Sequence, residues 1–473
     1  MKTQRNDNYL KAAISHFDKV IENGLAVYGA DPCAMWMASL DTKTGQYPED
    51  DRRPPHIPKR AYRYIDAPRG SNLYWDQPAI AAAHALSQIT GMKRYADAAD
   101  AYVRDFLDRC VAPNGMFLWG NHYYYDAFRD APVWFGETPV PCLLTKESGK
   151  LHEMRPIVPA WDSFWRISPE KTERAIRAAV DGHLVDPDTG RFNRHADNEE
   201  GCAFLEAGGI LVDTLSWLHQ KTGDAELVGT AGKIALYSFQ NRNESTGLLE
   251  NNPTVTRWDK HTSTTEVGLW AGCLLRAASR CHVAEWAEMA DAAVSAWLRL
   301  GYDETAERFY GRLDVGTGAP ILGPKETTYQ PGDHSDLWDP LFPAHDYPMP
   351  FAESCLALYR ITGKDIYQTA CRRWINQIRN SLPARHGKGG YAEHYGRCLN
   401  FLLGYAKIMD DSAAHDLAIN VADEAMNVLY SHGMFRGHAG EDRYDALDGV
   451  GFLLLALMRL QTGSEPETMG LAW

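Results

Sequence analysis

The sequence predicts an all-α protein of repeated helix pairs, an (α/α)7 toroid, and three observations carry that expectation. Apolar residues recur at three- and four-residue spacing along most of the 473 residues, as amphipathic helices require. Two textures alternate: charged segments with one apolar stripe, and Gly/Ala-rich segments with few charges, as in helices buried on most sides. The punctuation between them repeats too. A helix-pair period of roughly 40–60 residues, kept from end to end, means one array and not three domains. Six pairs with extra helices is the alternative count.

The outer-type helices are expected at 8–25, 95–106, 168–183, 225–240, 283–300, 364–381 and 413–430. The stripe is plainest between Tyr95 and Phe106. The inner type is expected at 76–90, 201–221, 265–281, 348–361, 394–409 and 444–461. A shorter inner segment near 154–166 contains Pro156 and Pro159. Helix 8–25 should pack on 444–461 and close the ring, making 1–473 a single domain. Thr90-Gly91, Thr222-Gly223, Thr362-Gly363 and Thr462-Gly463 each follow an inner segment, with Gly as the helix stop. Outer helices are followed by Gly and then an aromatic residue or Leu: Gly115 to Phe117, Gly190 to Phe192, Gly247 to Leu249, Gly390-Tyr391 and Gly433 to Phe435. No Rossmann or P-loop pattern is present.

Composition narrows the function. Hydrophobic residues at 45% and charged residues at 23% are ordinary for a globular chain and exclude disorder, collagen and coiled coil. No apolar run reaches the ~20 residues of a membrane helix, and the N-terminus lacks an apolar signal core, so it reads as a cytoplasmic start. Nine cysteines without CxxC spacing read as reduced, mostly buried thiols. Lys+Arg 48 against Asp+Glu 62 argues against a nucleic-acid partner. One stretch opposes the trend: Arg52, Arg53, Lys59, Arg60, Arg63 and Arg69 face only Asp66. It is either a local anion-binding loop or a solvated loop paired with acidic neighbours. The 14 Trp and 23 Tyr supply rings that stack on sugars as well as a core.

In such an array the connections from outer to inner helix emerge on one face, and here they hold the unusual residues. Trp119 leads into Asn121, His122, Tyr124 and Asp126; Phe192 into Asn193, Arg194, His195 and Asp197. Leu249 precedes Asn251, Asn252, Arg257, Trp258, Asp259, Lys260 and His261. Tyr391 precedes Glu393, His394, Tyr395 and Arg397, and Phe435 precedes Arg436 and His438. The spacing aromatic-x-x-His recurs among them, as in Phe192 to His195. Repetition at one place in successive repeats implies a polar funnel, the usual seat of a binding pocket. Asn, Arg, His and Tyr with stacking rings suit a carboxylated sugar. A lyase acting on such a chain removes the C5 proton and breaks the C4–O bond while the C6 carboxylate is neutralised. A hydrolase would use two carboxylic acids across the bond, and Asp76, Glu137, Asp197, Asp259, Asp336 and Asp445 are available. Residues 329–338, rich in Pro and Gly, read as a loop within the long connection 314–347 that caps the funnel or is an insertion.

The run Asn72 to Pro78, Trp119-Gly-Asn-His122, His152-Glu153 and above all Phe192-Asn-Arg-His195 resemble polysaccharide lyase family 2, the (α/α)7-barrel pectate lyases, over roughly residues 70–200. That resemblance implies a divalent transition metal, manganese first and nickel, iron or zinc next, held by two His and one Glu. It implies His122, Glu153 and His195 as ligands, with His152 as the competitor for His122. It implies Arg194 as the base; otherwise Arg194 pairs with the substrate carboxylate while Tyr124, Lys260 or His261 takes the proton. Two imidazoles and a carboxylate suit these metals and not Ca²⁺, which prefers oxygen.

Asn121, Asn252, Arg257, Trp258, His261, His394, Tyr395, Arg397, Arg436 and His438 are then the substrate contacts, the Arg residues toward carboxylates and the rings for stacking. The expected activity is a metal-assisted lyase on pectate-like acidic oligosaccharides or polysaccharides. The rivals are a toroid hydrolase of uronides and a sugar epimerase using His195 and His394 as acid and base.

Overall fold

The computed structural model describes residues 8–48, 69–120, 123–134, 152–154, 157–253, 261–324, 332–338, 347–383 and 390–473. Among them are fourteen α-helices. In chain order they are α1 Asn8–Asn23, α2 Leu73–Thr90, α3 Arg94–Arg109, α4 Trp161–Ile167, α5 Pro169–His183, α6 Leu205–Thr222 and α7 Glu226–Gln240. Then come α8 Thr264–Cys281, α9 Ala284–Leu300, α10 Met349–Thr362, α11 Asp365–Asn380, α12 Ala392–Met409, α13 Ser412–Leu429 and α14 Val450–Thr462.

The alternation read from the sequence is present among the described residues, with seven outer-type and six enclosed inner helices; the short α4 buries only Trp161, Ser163 and Phe164. Inner helices are enclosed on nearly every side: α6 is buried without a break from Leu205 to Leu218. Outer helices bury one stripe, as α3 does with Tyr95, Ala99, Tyr102, Val103, Phe106 and Leu107. No helix among the described residues is long and apolar enough to cross a membrane. The described cysteines are free thiols, all buried except the half-buried Cys281.

The repeated Thr-Gly pair has a physical cause. Gly91, Gly223, Gly363 and Gly463 all sit in the left-handed region at φ between 67 and 75°, where a Cβ is costly. The preceding Thr hydroxyl donates back to the carbonyl four residues earlier and accepts from the amide two residues on. In α10 these bonds run from Thr362 Oγ1 to Leu358 O at 2.7 Å and from Lys364 N to Thr362 Oγ1 at 3.3 Å. One dipeptide therefore ends the helix and satisfies two backbone groups.

The chain divides into two compact units, each drawing on separated segments. The first comprises Met1–Leu143, Pro159–Thr172 and Leu382–Ala472; the second comprises Leu144–Val158 and Glu173–Ser381 with the terminal Trp473. In the first, the inner helices pack as α2 on α14 on α12, backed by α3, α1 and α13. The first and last helices are thus neighbours, as the sequence implied. In the second, α6 packs on α8 and α8 on α10, backed by α7, α9 and α11. Inner helices approach closely where one offers a glycine. A Cβ at Gly451 would lie 2.1 Å from the Pro78 carbonyl carbon, and one at Gly268 2.3 Å from Phe351 N.

Two inner segments start later than their apolar patterns suggest. Residues 443–445 form a strand antiparallel to Ser39–Asp41, with Leu40 opposite Tyr444. A short turn and Gly449, at φ 68°, then redirect the chain before α14 begins at Val450. Likewise Glu153 and Met154 are extended, and α4 starts at Trp161, beyond Pro159. The described part of the loop 329–338 is pinned in the second unit. His334 Nε2 lies 2.9 Å from Asp303 Oδ2, and Trp338 Nε1 donates to Ser381 Oγ.

Candidate functional site

In the second unit, α5 ends at His183 and runs into a hairpin of Leu184–Asp186 against Arg191–Phe192. Asp186 closes the turn by accepting from Asp188 N and Thr189 Oγ1, and Gly190 takes φ 77°. Past Phe192 the chain meets residues 152–154, with Glu153 opposite His195. Met154 N donates to Arg194 O at 2.9 Å and Ala196 N to His152 O at 3.0 Å. Glu153 and His195 are therefore the closely spaced pair of an antiparallel ladder, with side chains on one face. Asn193 fixes the entry. Its Oδ1 accepts from His195 N and Cys202 N, and its Nδ2 donates to Asp197 Oδ1 at 3.0 Å.

The three side chains converge on one oxygen. His195 Nε2 lies 3.4 Å from Glu153 Oε1, and the Arg194 guanidinium pairs with the same atom. The Glu153 side chain is 2% exposed, Arg194 15% and His195 32%. A carboxylate buried that far needs a cation or several donors, and Arg194 supplies the charge. Arg194 also lies over the Phe204 ring, 4.7 Å from its centroid. Solvent reaches the cluster from the His195 side. An imidazole nitrogen beside a carboxylate oxygen fits Mn²⁺, Fe²⁺, Ni²⁺ or Zn²⁺. His122, the third ligand expected from sequence, lies outside the described residues. No group of three His, Cys, Asp or Glu able to hold an ion occurs among those described. His152 turns to the other side of the ribbon, where its Nδ1 is 2.9 Å from His183 Nε2.

Of the other expected contacts, Asn121, Arg257, Trp258 and Lys260 lie outside the described residues, as do Arg52 to Arg63 of the basic stretch. Asn252 and His261 are buried in the second unit, near the starts of α6 and α8, where Leu205 N donates to Asn251 O and Asn251 N to His261 O.

The remainder belong to the first unit. Tyr124 is buried in strand Tyr123–Asp126, opposite Val133. His394 is enclosed, with its ring against Tyr391. His438 lies on Tyr391 at 4.5 Å and accepts from Gly440 N. Arg397 is 3.8 Å from Glu393, and Arg436 is 3.4 Å from Asp442, so both guanidinia have carboxylate neighbours within the chain. Tyr395 corrects the sequence reading. Its ring is fully buried and its hydroxyl donates to Glu424 Oε1 of α13 at 2.8 Å. It is a packing residue between helices and offers no face to a sugar.

Buried acids recur in the first turns of inner helices: Asp76 in α2, Glu206 in α6 and Glu266 in α8, all fully enclosed. The helix N-terminus favours a negative charge there. Glu206 and Glu266 are close, since Glu206 N donates to Glu266 Oε2 at 3.2 Å. The sequence reading passed over both; the signal was an acid at the start of segments otherwise poor in charge. Asp76 accepts from Tyr102 and Tyr444 hydroxyls at 2.6 and 3.0 Å, and burial pushes its carboxyl up to about 7. Burial, with Asp448 and Glu441 nearby, holds Asp445 well above the usual carboxylate range.

Comparison with known proteins falls on the same stretch as the ribbon. Residues 62–207 match the family model described as periplasmic pectate lyase. The chain is 25% identical to the pectate disaccharide-lyase of Dickeya dadantii (strain 3937) over 218 residues, 45% of this chain. It spans 36% of the length of that curated relative. Among solved structures it is similar to an unsaturated glucuronyl hydrolase specific for heparin: TM-score 0.50, 10% identity, 98% of this chain and 100% of the other. A sugar epimerase from a ruminal bacterium gives TM-score 0.48 at 10% identity, over 79% of this chain and 86% of its own. The likeness to the glucuronyl hydrolase is one of fold, the (α/α) toroid class. The matched residues 62–207 include Glu153, Arg194 and His195, so the resemblance read from the sequence motifs coincides with the segment that builds the cluster.

Proposed function

We propose that the protein is a carbohydrate enzyme acting on uronates, and specifically a metal-assisted lyase that cleaves pectate-like chains by β-elimination. The observation that carries this reading is the convergence of Arg194 and His195 on the buried Glu153 oxygen. A hydrolase needs two acids set across the bond; among the described residues this cluster brings together one carboxylate, a guanidinium and an imidazole. Those groups suit an anionic substrate whose reaction places further negative charge beside its carboxylate.

Glu153 and His195 would hold a divalent transition ion; His122 as a further ligand is what the sequence resemblance implies. When bound, the ion neutralises the C6 carboxylate of the uronate and so acidifies C5. Arg194 is the candidate for the C5 proton. A guanidinium ordinarily carries its proton, and one held on Glu153 is not placed to take another, so it acts as base only once it has left that carboxylate. While paired, it is instead a fixed donor for the substrate carboxylate. Asn193 holds the turn so that Arg194 and His195 keep their places.

The test is ultraviolet absorbance of the purified protein on a panel of uronate oligosaccharides, with EDTA and with added Mn²⁺. The expected result is an absorbance rise from the unsaturated product, abolished by EDTA and restored by Mn²⁺. A rise indifferent to EDTA removes the ion from the account. Flat absorbance with new reducing ends overturns the lyase in favour of a hydrolase.

A further inference from the structure

Among the described residues, two backbone hydrogen bonds cross the ribbon that aligns Glu153 with His195. A slip of one residue would carry Glu153 to the opposite face from His195 and dissolve the cluster. Two such bonds by themselves specify register weakly, and contacts on the opposite face add to them.

His183, the last residue of α5, is fully buried and touches both strands. Its carbonyl accepts from Asn193 N at 2.8 Å, and its Nδ1 lies 2.8 Å from Asn193 O. Its Nε2 lies 2.9 Å from His152 Nδ1 on the other strand. These contacts leave one arrangement of protons. A carbonyl oxygen only accepts, so His183 Nδ1 carries the hydrogen. Full burial disfavours a charged ring, so His183 Nε2 is the acceptor in this contact. The hydrogen between the rings then belongs to His152 Nδ1. A neutral imidazole donates at one end and accepts at the other across a rigid ring, which is what joining an acceptor on one strand to a donor on the next requires.

We propose that His183 and His152 form a proton-ordered pair that locks the register of the Glu153–His195 ribbon, with His183 as a positioning residue that touches no substrate. The consequence for an ion at Glu153 and His195 rests on the lyase reading; the proton order and the register lock do not.

The experiment uses the full chain with ¹⁵N-labelled histidine. Two-bond proton–nitrogen spectra are expected to show His183 and His152 both as the Nδ1–H tautomer, and an Nε2–H tautomer at His183 overturns the proposal. Exchange of the Met154 and Ala196 amides is expected to speed up at least tenfold in His183→Leu. His183→Gln, which keeps an acceptor toward His152, should regain most of that protection. Unchanged exchange in a folded His183→Leu also overturns it. Mn²⁺ affinity, read by electron paramagnetic resonance, should fall about 10- to 100-fold in His183→Leu and recover in His183→Gln. If wild type binds no Mn²⁺, the metal reading fails while the tautomer and exchange results still decide the register lock. If His183→Leu does not fold, the wild-type tautomers and His183→Gln decide it.

Discussion

The two units bury carboxyl groups in opposite ways. In the second, Glu153 is met by a guanidinium and an imidazole, one of them a third exposed. In the first, Asp76 is met by two neutral phenols and no cation, fully enclosed. Charged partners keep a carboxylate ionised and leave its surroundings able to receive an anion. Neutral donors tie helices together but bring no compensating charge, so burial pushes the Asp76 carboxyl up to about 7 although both phenols pull it down. A perturbed carboxyl marks many functional sites, yet the raised Asp76 is bonded among α2, α3 and the strand at 443–445. The cluster open to solvent is the better candidate for chemistry.

The largest effect should come from Glu153. Replacing it with Gln keeps the volume and removes the charge, leaving Arg194 without its ion pair; lyase turnover should drop on the order of 10²–10³-fold, by the scale of lost electrostatic stabilisation at a reacting centre. Turnover within a few-fold of wild type would put the reaction elsewhere. Asp76→Asn should leave turnover intact and act on stability. Asp76 is raised in the fold relative to ~3.9 in the unfolded chain, so the native state binds the extra proton between those values. Wild type should therefore lose stability as pH climbs from about 4 through about 7, by at most ~4 kcal/mol. Asp76→Asn should flatten that slope. Denaturant melts of both proteins from pH 5 to 8 check it, and parallel slopes would mean that Asp76 does not carry the effect.

Legibility in the sequence followed the range of the interaction. The Thr-Gly stops are local, each made within six residues, and all four occur where the pattern placed them. Helix texture was legible for the same reason, and it misled only where the backbone decides: the Tyr444 segment pairs as a strand because its partner lies 400 residues away at Ser39–Asp41. Arg194 and His195 were visible in a compact motif. His183 was not, because its partners are on two other segments and a histidine ending an outer helix looks like any dipole-compensating cation. Tyr395 was misjudged because an aromatic at the head of an inner helix reads the same whether it faces a groove or Glu424 on α13.

That last residue gives the smallest and cleanest contrast with Glu153. Tyr395→Phe removes the hydroxyl that reaches Glu424 and keeps the buried ring. The loss should be about 1 kcal/mol of stability, the ordinary net value of one such bond. Burial and the Glu424 carboxylate both hold the phenol well above its usual range, so it stays protonated at neutral pH and the deficit should not vary between pH 6 and 8. Because the ring faces helix and not substrate, KM for every uronate tested should match wild type. A raised KM with unchanged stability would return Tyr395 to the binding surface and would mean that the first unit contributes more than scaffold.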